Sequence, residues 1–204
     1  MKTDTLDIRH MDCMALMAEY PDDHFDLAVV DPPYGININK SGRLGHYGGK
    51  GKDWDSAIPD DAYFKEVERV SKDRIIWGAN YFTMPPTRCF LIWDKQQPVG
   101  VSFADSEFAW TSFDESARTF RMRPQNADNE RIHPTQKPVK LYDWIFANYA
   151  TKGMKILDTH LGSGSSAIAS HYAGMHLTAC ELDEDYYKAA CERIKANTQQ
   201  LALF

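Results

Sequence analysis

The fold of this chain is indicated by Lys155-Ile156-Leu157-Asp158-Thr159-His160-Leu161-Gly162-Ser163-Gly164-Ser165, which has the pattern of an apolar strand, a glycine turn and the start of a helix. Gly162 and Gly164 would let the backbone approach a ligand closely. Glu181 ends the next apolar run, where a carboxylate can accept both hydroxyls of a ribose. The spacing departs from Gly-x-Gly-x-x-Gly, and no Lys follows as in a phosphate loop, which disfavours triphosphate hydrolysis. The turn therefore predicts a nucleotide-like ligand, with a purely structural glycine turn as the alternative.

The rest of the chain alternates β-branched and aromatic runs with helical stretches, which predicts an α/β fold with a mostly parallel, doubly wound sheet. Strands are predicted at 6–10, 25–30, 74–77, 88–93, 154–157 and 176–180, and helices around 12–19, from 60 onward, and at 141–150, 165–173 and 183–198. Only one convincing strand follows the glycine turn, so the other strands of the sheet must precede it. The fold is therefore expected to be circularly permuted. Residues 36–56 and 96–131 fit this rhythm poorly and are predicted to be loops or an inserted subregion.

A second informative segment is Phe25-Asp26-Leu27-Ala28-Val29-Val30-Asp31-Pro32-Pro33-Tyr34-Gly35. Its apolar residues lead to an acid at the predicted carboxyl end of a strand, where open α/β sheets bind ligands. Two prolines then stop strand pairing and fix the backbone, so Asp31 and the Pro32 carbonyl are rigid hydrogen-bond acceptors, with the Tyr34 ring as a planar surface beside them. This combination suits an aromatic amine, which donates two hydrogens and stacks. The alternative is a strand end followed by a proline turn.

The composition bounds the class of protein. The chain has 204 residues, 43% of them hydrophobic and 25% charged, as expected of one globular domain spanning 1–204. It contains no uninterrupted apolar run of about 18 residues and no signal-peptide pattern, so we expect a cytoplasmic protein without membrane association. The cysteines are far apart, which predicts reduced thiols rather than disulfides or a zinc site: Cys13, Cys89, Cys180 and Cys191. The net charge of −6 argues against binding nucleic acid by bulk charge but is compatible with a local basic site.

With these segments in place, the sequence resembles the amino-group DNA methyltransferases that use S-adenosylmethionine, in the permuted (beta) group whose catalytic motif precedes the cofactor motif. Asp31-Pro32-Pro33-Tyr34 matches the catalytic motif, residues 158–164 match the cofactor loop, and Glu181 matches the ribose-binding acid. His133-Pro134-Thr135-Gln136-Lys137-Pro138 matches a segment beside the methionine part of the cofactor, and Asp12 matches an acid that contacts its adenine. The resemblance implies a Rossmann-like methyltransferase fold. The cofactor-binding residues that it implies are Asp12, Asp31, Thr135, Lys137, Asp158, Gly162, Ser163, Gly164 and Glu181.

The resemblance also implies a mechanism. The target base is flipped out of duplex DNA, Tyr34 stacks on it, and Asp31 and the Pro32 carbonyl accept hydrogen bonds from its amino group. Methyl transfer is direct and needs neither a metal nor a covalent enzyme intermediate. The catalytic residues implied are Asp31, Pro32, Pro33 and Tyr34. Adenine N6 is the expected target because the motif begins with Asp, and cytosine N4 is the alternative.

Other interpretations remain open from the sequence. The same cofactor could serve an amide or RNA substrate. The glycine turn with Glu181 would also suit a nicotinamide-dependent oxidoreductase, and a DNA-binding relative without catalysis is a further class, although the intact Asp31–Tyr34 motif counts against both. One departure from the family is Thr159-His160, where relatives carry Pro-Phe; His160 either fills the place of an aromatic ring or contacts the ligand.

Two segments are expected to face DNA. Residues 36–56 are predicted to form a mobile basic loop, with a solvated surface loop as the alternative, and residues 96–132 a small target-recognition insertion. The side chains expected to contact DNA are Lys40, Arg43, Lys50, Lys52, Arg118, Arg121 and Arg123. Both segments are rich in basic residues, so we expect them to share one basic face beside Asp31. Because the insertion is short, a homodimer is a candidate assembly; the sequence does not indicate an endonuclease partner.

Overall fold

A computed structural model describes residues 1–38, 52–100, 103–124 and 131–199. Its strands are β1 (Leu6–His10), β2 (Phe25–Val30), β3 (Ser71–Trp77), β4 (Phe90–Asp94), β5 (Ser106–Thr111), β6 (Arg118–Arg121), β7 (Lys155–Asp158) and β8 (His176–Glu181). Its helices are α1 (Cys13–Met17), α2 (Asp61–Val70), α3 (Val139–Tyr149), α4 (Ser165–Ala173) and α5 (Glu184–Thr198). The predicted strands and helices before residue 96 and after residue 131 are thus confirmed, with shifts of a few residues at their ends.

The described strands form a single sheet in the order β1-β8-β7-β2-β3-β5-β4-β6. Only β5 runs antiparallel to its neighbours, so the other strands all end at the same side of the sheet. The strand that leads to the glycine turn, β7, lies between β8 and β2, although it is the seventh strand along the chain. The strands that precede the glycine turn therefore complete the sheet around it, and the mostly parallel α/β fold is confirmed.

Helices cover both faces of the sheet, which makes the fold doubly wound. Alternate residues of β2 show the division, because Leu27 and Val29 belong to one apolar core whereas Ala28 and Val30 belong to the other. The first core is closed by α3, α4 and α5, and the second by α1 and α2. Among the described residues, no helix combines the length and the apolar character that crossing a bilayer requires.

The assignment of residues 96–131 to loops is wrong for two stretches. Ser106–Thr111 is β5 and lies between β3 and β4, and Arg118–Arg121 is β6 at the edge of the sheet. Residues of β6 are mostly exposed, so they carry no apolar signal. The strand β5 begins with two polar residues, of which Glu107 forms ion pairs, and continues with an exposed Phe108, so its first half lacks a buried apolar pattern. Residues 39–51, 101–102 and 125–130 of the two predicted DNA-facing segments lie outside the described residues.

Candidate functional site

A cavity of about 400 Å³ opens at the carboxyl ends of β2, β7 and β8. Its size is within the usual range for a small-molecule site. Predicted site residues line it together with residues that the sequence did not single out: Met11, Asp12, Cys13, Asp31, Pro33, Trp54, His133, Thr135, Gln136, Lys137, Tyr142, Thr159, His160, Leu161, Gly162, Ser163, Ser165, Glu181, Leu182, Asp183 and Tyr186. The glycine turn, the acid at the end of β8 and Asp31 are thus brought to one site, as the sequence predicted.

The two glycines of the turn have different roles. Both have positive φ, 53° at Gly162 and 77° at Gly164, a conformation that other residues adopt only at a cost. A Cβ added to Gly162 would meet no atom closer than 3.9 Å, so the backbone there is open to a ligand. A Cβ added to Gly164 would lie 2.8 Å from the Ile194 side chain. Gly164 thus allows close packing of α5 on the turn and lies outside the cavity lining, and its predicted approach to a ligand stays a prediction.

Two carboxylates stand at the β8 side of the cavity. Glu181 accepts hydrogen bonds from the backbone N–H groups of Gly162 and Asp183, each at 2.9 Å, and its burial raises the pKa of its carboxyl group. Asp12 caps the amino end of α1 by accepting from the N–H groups of Met14 and Ala15 at 2.9 and 3.0 Å. Both side chains are therefore held in place by backbone groups while they face the cavity.

The Asp158 carboxylate does not line the cavity, contrary to its predicted role in cofactor binding. It is buried within the turn, where it accepts hydrogen bonds from the His160 N–H at 3.1 Å and the Ser166 hydroxyl at 2.5 Å. Burial raises its pKa to about 7. Asp158 therefore fixes the shape of the turn from inside the protein.

Asp31 is the centre of a buried polar cluster at the end of β2. Its Oδ1 accepts a hydrogen bond from the Tyr34 hydroxyl at 2.5 Å, and its Oδ2 accepts one from Lys137 Nζ, also at 2.5 Å. Lys137 Nζ also lies 3.0 Å from Glu107 Oε2, and the other oxygen of this carboxylate, Oε1, lies 2.5 Å from Lys95 Nζ. Lys137 was predicted to bind the cofactor, but its ammonium group is directed at two carboxylates of the protein. Glu107 was missed because residues 96–131 were predicted to be loops or an inserted subregion, and Lys95, just before that segment, had no predicted role.

The ring of Tyr34 is not an open stacking surface in this structure. The ring of Tyr81 stacks on it, with centroids 4.8 Å apart and an angle of 14° between the planes, and Phe82 meets it edge-on. Gly78 lies so close that an added Cβ would be 2.3 Å from the Tyr34 ring. The predicted planar surface therefore exists, but an aromatic residue from the segment after β3 covers it. Pro32 is buried and lies outside the cavity lining, whereas Pro33 lines it.

Asp55 holds the segment that follows the catalytic motif. Its carboxylate is 3% exposed and accepts hydrogen bonds from the backbone N–H groups of Tyr34, Gly35 and Ile38 at 2.8 to 2.9 Å. Nothing in the local sequence distinguishes Asp55 from the neighbouring Asp53, so the sequence could not identify this contact. The end of the predicted mobile loop is thus attached to the motif.

Aromatic side chains form one wall of the cavity. The rings of Trp54 and Tyr186 lie 5.1 and 4.4 Å from that of His133. Burial lowers the pKa of His133 to about 3, so the ring is neutral near pH 7, and Thr135 contacts its Nδ1. Burial likewise lowers the pKa of His160 to about 4; this ring packs edge-on against Tyr63, as a residue that replaces an aromatic ring would, and it also lines the cavity, so a ligand contact stays a prediction.

The described basic residues predicted to bind DNA do not form one face. Lys52 pairs with Asp183 and Asp185, at 2.5 and 2.8 Å, beside the cavity. Arg121 is near the Asp94 carboxylate at the carboxyl end of its strand, and exposed Arg123 follows it. Arg118 stands at the start of β6 and donates to Asn148 in the last turn of α3, away from the cavity. The other predicted DNA-binding residues, Lys40, Arg43 and Lys50, lie outside the described residues.

A family model described as DNA methylase (N6_N4_Mtase) matches residues 76–192, more than half of the chain. The chain belongs to this DNA methylase family. The match begins at the end of β3 and reaches into α5, so it includes Glu107, Lys137, the glycine turn and Glu181 but not Asp31. For this methylase, the match thus contains Lys137 and Glu107 of the cluster around Asp31, whereas the segment from Asp31 to Tyr34 lies outside it.

The methylase is similar to several known proteins over most of its length. "Putative methylase YubD" of Escherichia coli (strain K12) is 23% identical over 201 residues, which cover 91% of this chain and 88% of that protein. The solved structure of an M1.HpyAVI–SAM complex has a TM-score of 0.61 and 18% identity and covers 93% of this chain and 98% of its own. PvuII DNA methyltransferase, described as cytosine-N4-specific, has a TM-score of 0.65 and 10% identity, with 98% of this chain and 93% of its own covered. At these identities the likeness to the solved structures shows a shared fold.

Proposed function

We propose that this methylase transfers the methyl group of S-adenosylmethionine to the N6 amino group of adenine in duplex DNA. The observation that carries the proposal is that Asp31, the first residue of the Asp-Pro-Pro-Tyr motif, lines the same cavity as Gly162 and Glu181. An acceptor for an amino group and a site for a nucleoside are therefore joined in one cavity. Membership of the DNA methylase family supports the class of reaction, and the likeness to an M1.HpyAVI–SAM complex supports the cofactor.

The residues of the cavity fit S-adenosylmethionine. Glu181 would accept the ribose hydroxyls, Asp12 would contact the adenine, and the open backbone at Gly162 would lie against the ligand. Thr135, Ser163 and the aromatic wall around His133 would hold the methionine part. When bound, S-adenosylmethionine supplies a methyl group on a positively charged sulfur.

Asp31 would hold the amino group of the target. An ionised carboxylate and the Pro32 carbonyl accept its two hydrogens, which orients the nitrogen lone pair into the cavity. The amino nitrogen loses one proton in the overall reaction, and Asp31 is placed to accept it. A base paired in a duplex cannot bring its amino group to Asp31, so the base must be flipped out. For the base to stack on Tyr34, the ring of Tyr81 must move from its present position.

We infer that the enzyme belongs to the permuted (beta) group, because β2 with the catalytic motif precedes β7 with the glycine turn. Arg123 and the basic residues of 36–56 remain candidates for phosphate contacts. Since β5 and β6 belong to the sheet, only the connecting parts of 96–132 are left for target recognition. A second subunit of a homodimer could extend that surface.

The target base can be identified directly. We would incubate the protein with unmethylated duplex DNA and S-adenosylmethionine carrying a deuterated methyl group, digest the DNA, and analyse the nucleosides by mass spectrometry. Labelled N6-methyldeoxyadenosine is expected. Labelled N4-methyldeoxycytidine would establish cytosine as the target instead, an alternative favoured by the structural likeness to PvuII methyltransferase. Unlabelled DNA from protein that binds the cofactor in calorimetry would contradict the proposed function.

A further inference from the structure

We propose that Lys137 and Glu107 are positioning residues that act on Asp31, with the Lys137 ammonium shared between two carboxylates to hold Asp31 ionised and aimed into the cavity. The inference deepens the proposed function and rests on it, since it concerns the acceptor for the amino group. It assigns Lys137 to the acceptor rather than to the cofactor.

The geometry of the cluster supports this assignment. Its charges alternate in the order Asp31, Lys137, Glu107, Lys95, with successive N–O distances of 2.5, 3.0 and 2.5 Å. Lys137 is the most buried member, with 2% of its side chain exposed. Its ammonium group also lies 3.1 Å from the Tyr34 hydroxyl, and that hydroxyl donates to the other oxygen of Asp31. Both oxygens of the acceptor are thus fixed by the protein.

Burial makes this arrangement consequential. A charge inside a protein is costly unless it is paired, so neither carboxylate would remain ionised here without a cation. Glu107 comes from β5, the one antiparallel strand among those described, whose amino end lies on the same side of the sheet as the carboxyl end of β2 and brings a second carboxylate to Lys137. The single ammonium group of Lys137 therefore interacts with two carboxylates at once. The negative charge of Glu107 weakens the electrostatic stabilisation that Lys137 gives to ionised Asp31.

Other groups around Asp31 enter the same balance. The pKa of Asp31 is raised overall, chiefly by burial and further by Glu107, and Lys137 limits this rise. Asp158 of β7 adds a like charge when it is ionised, and the phenols of Tyr34 and Tyr142 are kept neutral because burial raises their pKa well above the ordinary value. Lys137 and Glu107 are the charged groups that can be removed with opposite consequences.

The test compares two substitutions that must act in opposite directions. Lys137→Met removes the favourable cation and is expected to raise the pKa of Asp31 by about one to three pH units. Glu107→Gln removes the like charge and leaves Lys137 to Asp31 alone, which is expected to lower the same pKa. Lys72→Met is the matched control, because Lys72 pairs with Asp26 at the other end of β2. It should leave the Asp31 titration unchanged.

Two measurements would be made on each variant. Carboxyl ¹³C NMR, with the Asp31 signal assigned by Asp31→Asn, reports the pKa without any methyl transfer. Single-turnover methylation against pH, at saturating DNA and cofactor, should show the acid limb moved up by Lys137→Met and down by Glu107→Gln. A structural role alone would lower rates in both variants without opposite shifts, and shifts that are absent or of the same sign would overturn the inference.

The outcome remains interpretable if one part fails. Should Lys137→Met not fold, Lys95→Met is the substitute: it removes the cation at the far side of Glu107 and is expected to raise the Asp31 pKa by less. Should the protein methylate no DNA, the proposed function fails, while the NMR titration still decides whether the cluster controls Asp31.

Discussion

At the scale of single residues, the two glycines of the turn differ in what surrounds them: Gly162 is open to the cavity, and Gly164 packs against α5. Gly164→Ala would place a methyl group 2.8 Å from Ile194 at a positive φ, so we expect a loss of unfolding free energy of about 1–3 kcal/mol. In Gly162→Ala the added methyl group meets no close atom. The loss of unfolding free energy should then be smaller, because it comes only from the positive φ, but cofactor binding should be weaker. Urea unfolding and calorimetry of both variants test this. Equal stability losses would contradict the distinction.

The residues of the site that follow strands could be predicted, and those whose partners are distant could not. Asp31, Gly162 and Glu181 each stand just after an apolar run, and parallel strands bring such positions to one side of a sheet. Glu107 reaches Lys137 only because β5 is inserted between β3 and β4, a pairing that no local pattern indicates.

At the scale of elements, the segment that begins with Tyr34 is held by hydrogen bonds to a loop residue, Asp55. Asp55→Ala would leave three backbone N–H groups without their acceptor, those of Tyr34, Gly35 and Ile38. We expect kcat for methyl transfer to fall about tenfold to a hundredfold because the motif would lose its fixed position, with little change in cofactor affinity. Ser56→Ala, at an exposed neighbouring residue, is the control. If Asp55→Ala folds and its kcat is unchanged, the hydrogen bonds of Asp55 do not position the motif for methyl transfer.

Most elements could be predicted because they bury regular apolar patterns, and the exceptions have physical causes. In α2 the buried residues Tyr63, Val67 and Val70 recur at helical spacing, and the helix was predicted. In β6 the strand is held by backbone pairing with β4 at an exposed edge, so its side chains carry no signal. Edge strands and polar strands are thus the elements of this fold that can be identified only from the tertiary structure.

At the scale of the whole molecule, buried Asp158 should couple stability to pH. Its pKa is raised to about 7 in the folded protein from an ordinary value of 3.8, so the folded state retains a proton that the unfolded state has lost. That stabilisation is complete below about pH 4 and is lost as the pH rises through about 7. Asp158→Asn removes this titration. The unfolding free energy of the wild type should therefore fall relative to that of the variant between pH 4 and 8 in urea unfolding; a constant difference would contradict the assignment.

The charge of the whole molecule is distributed differently from the sequence expectation. Among the described basic residues, Lys52 and Arg121 lie beside acidic side chains, and Lys137 is buried between two carboxylates. These described residues therefore do not contribute free positive charge to one basic face. Such ion pairs form between segments that are distant in sequence. The charge pattern of the sequence does not reveal them, and it therefore predicted a shared basic face.

Whether Asp31 accepts the amino group that is methylated is decided by the single-turnover rate of Asp31→Asn at saturating cofactor and DNA. This change keeps the shape of the side chain and removes its charge. Asp26→Asn, on the same strand but at its other end, is the control. We predict a loss of about a hundredfold or more for Asp31→Asn, with its thermal stability and cofactor binding retained and with Asp26→Asn near the wild-type rate. A wild-type rate of methyl transfer in Asp31→Asn would show that the Asp31 carboxylate is not the acceptor of the amino group.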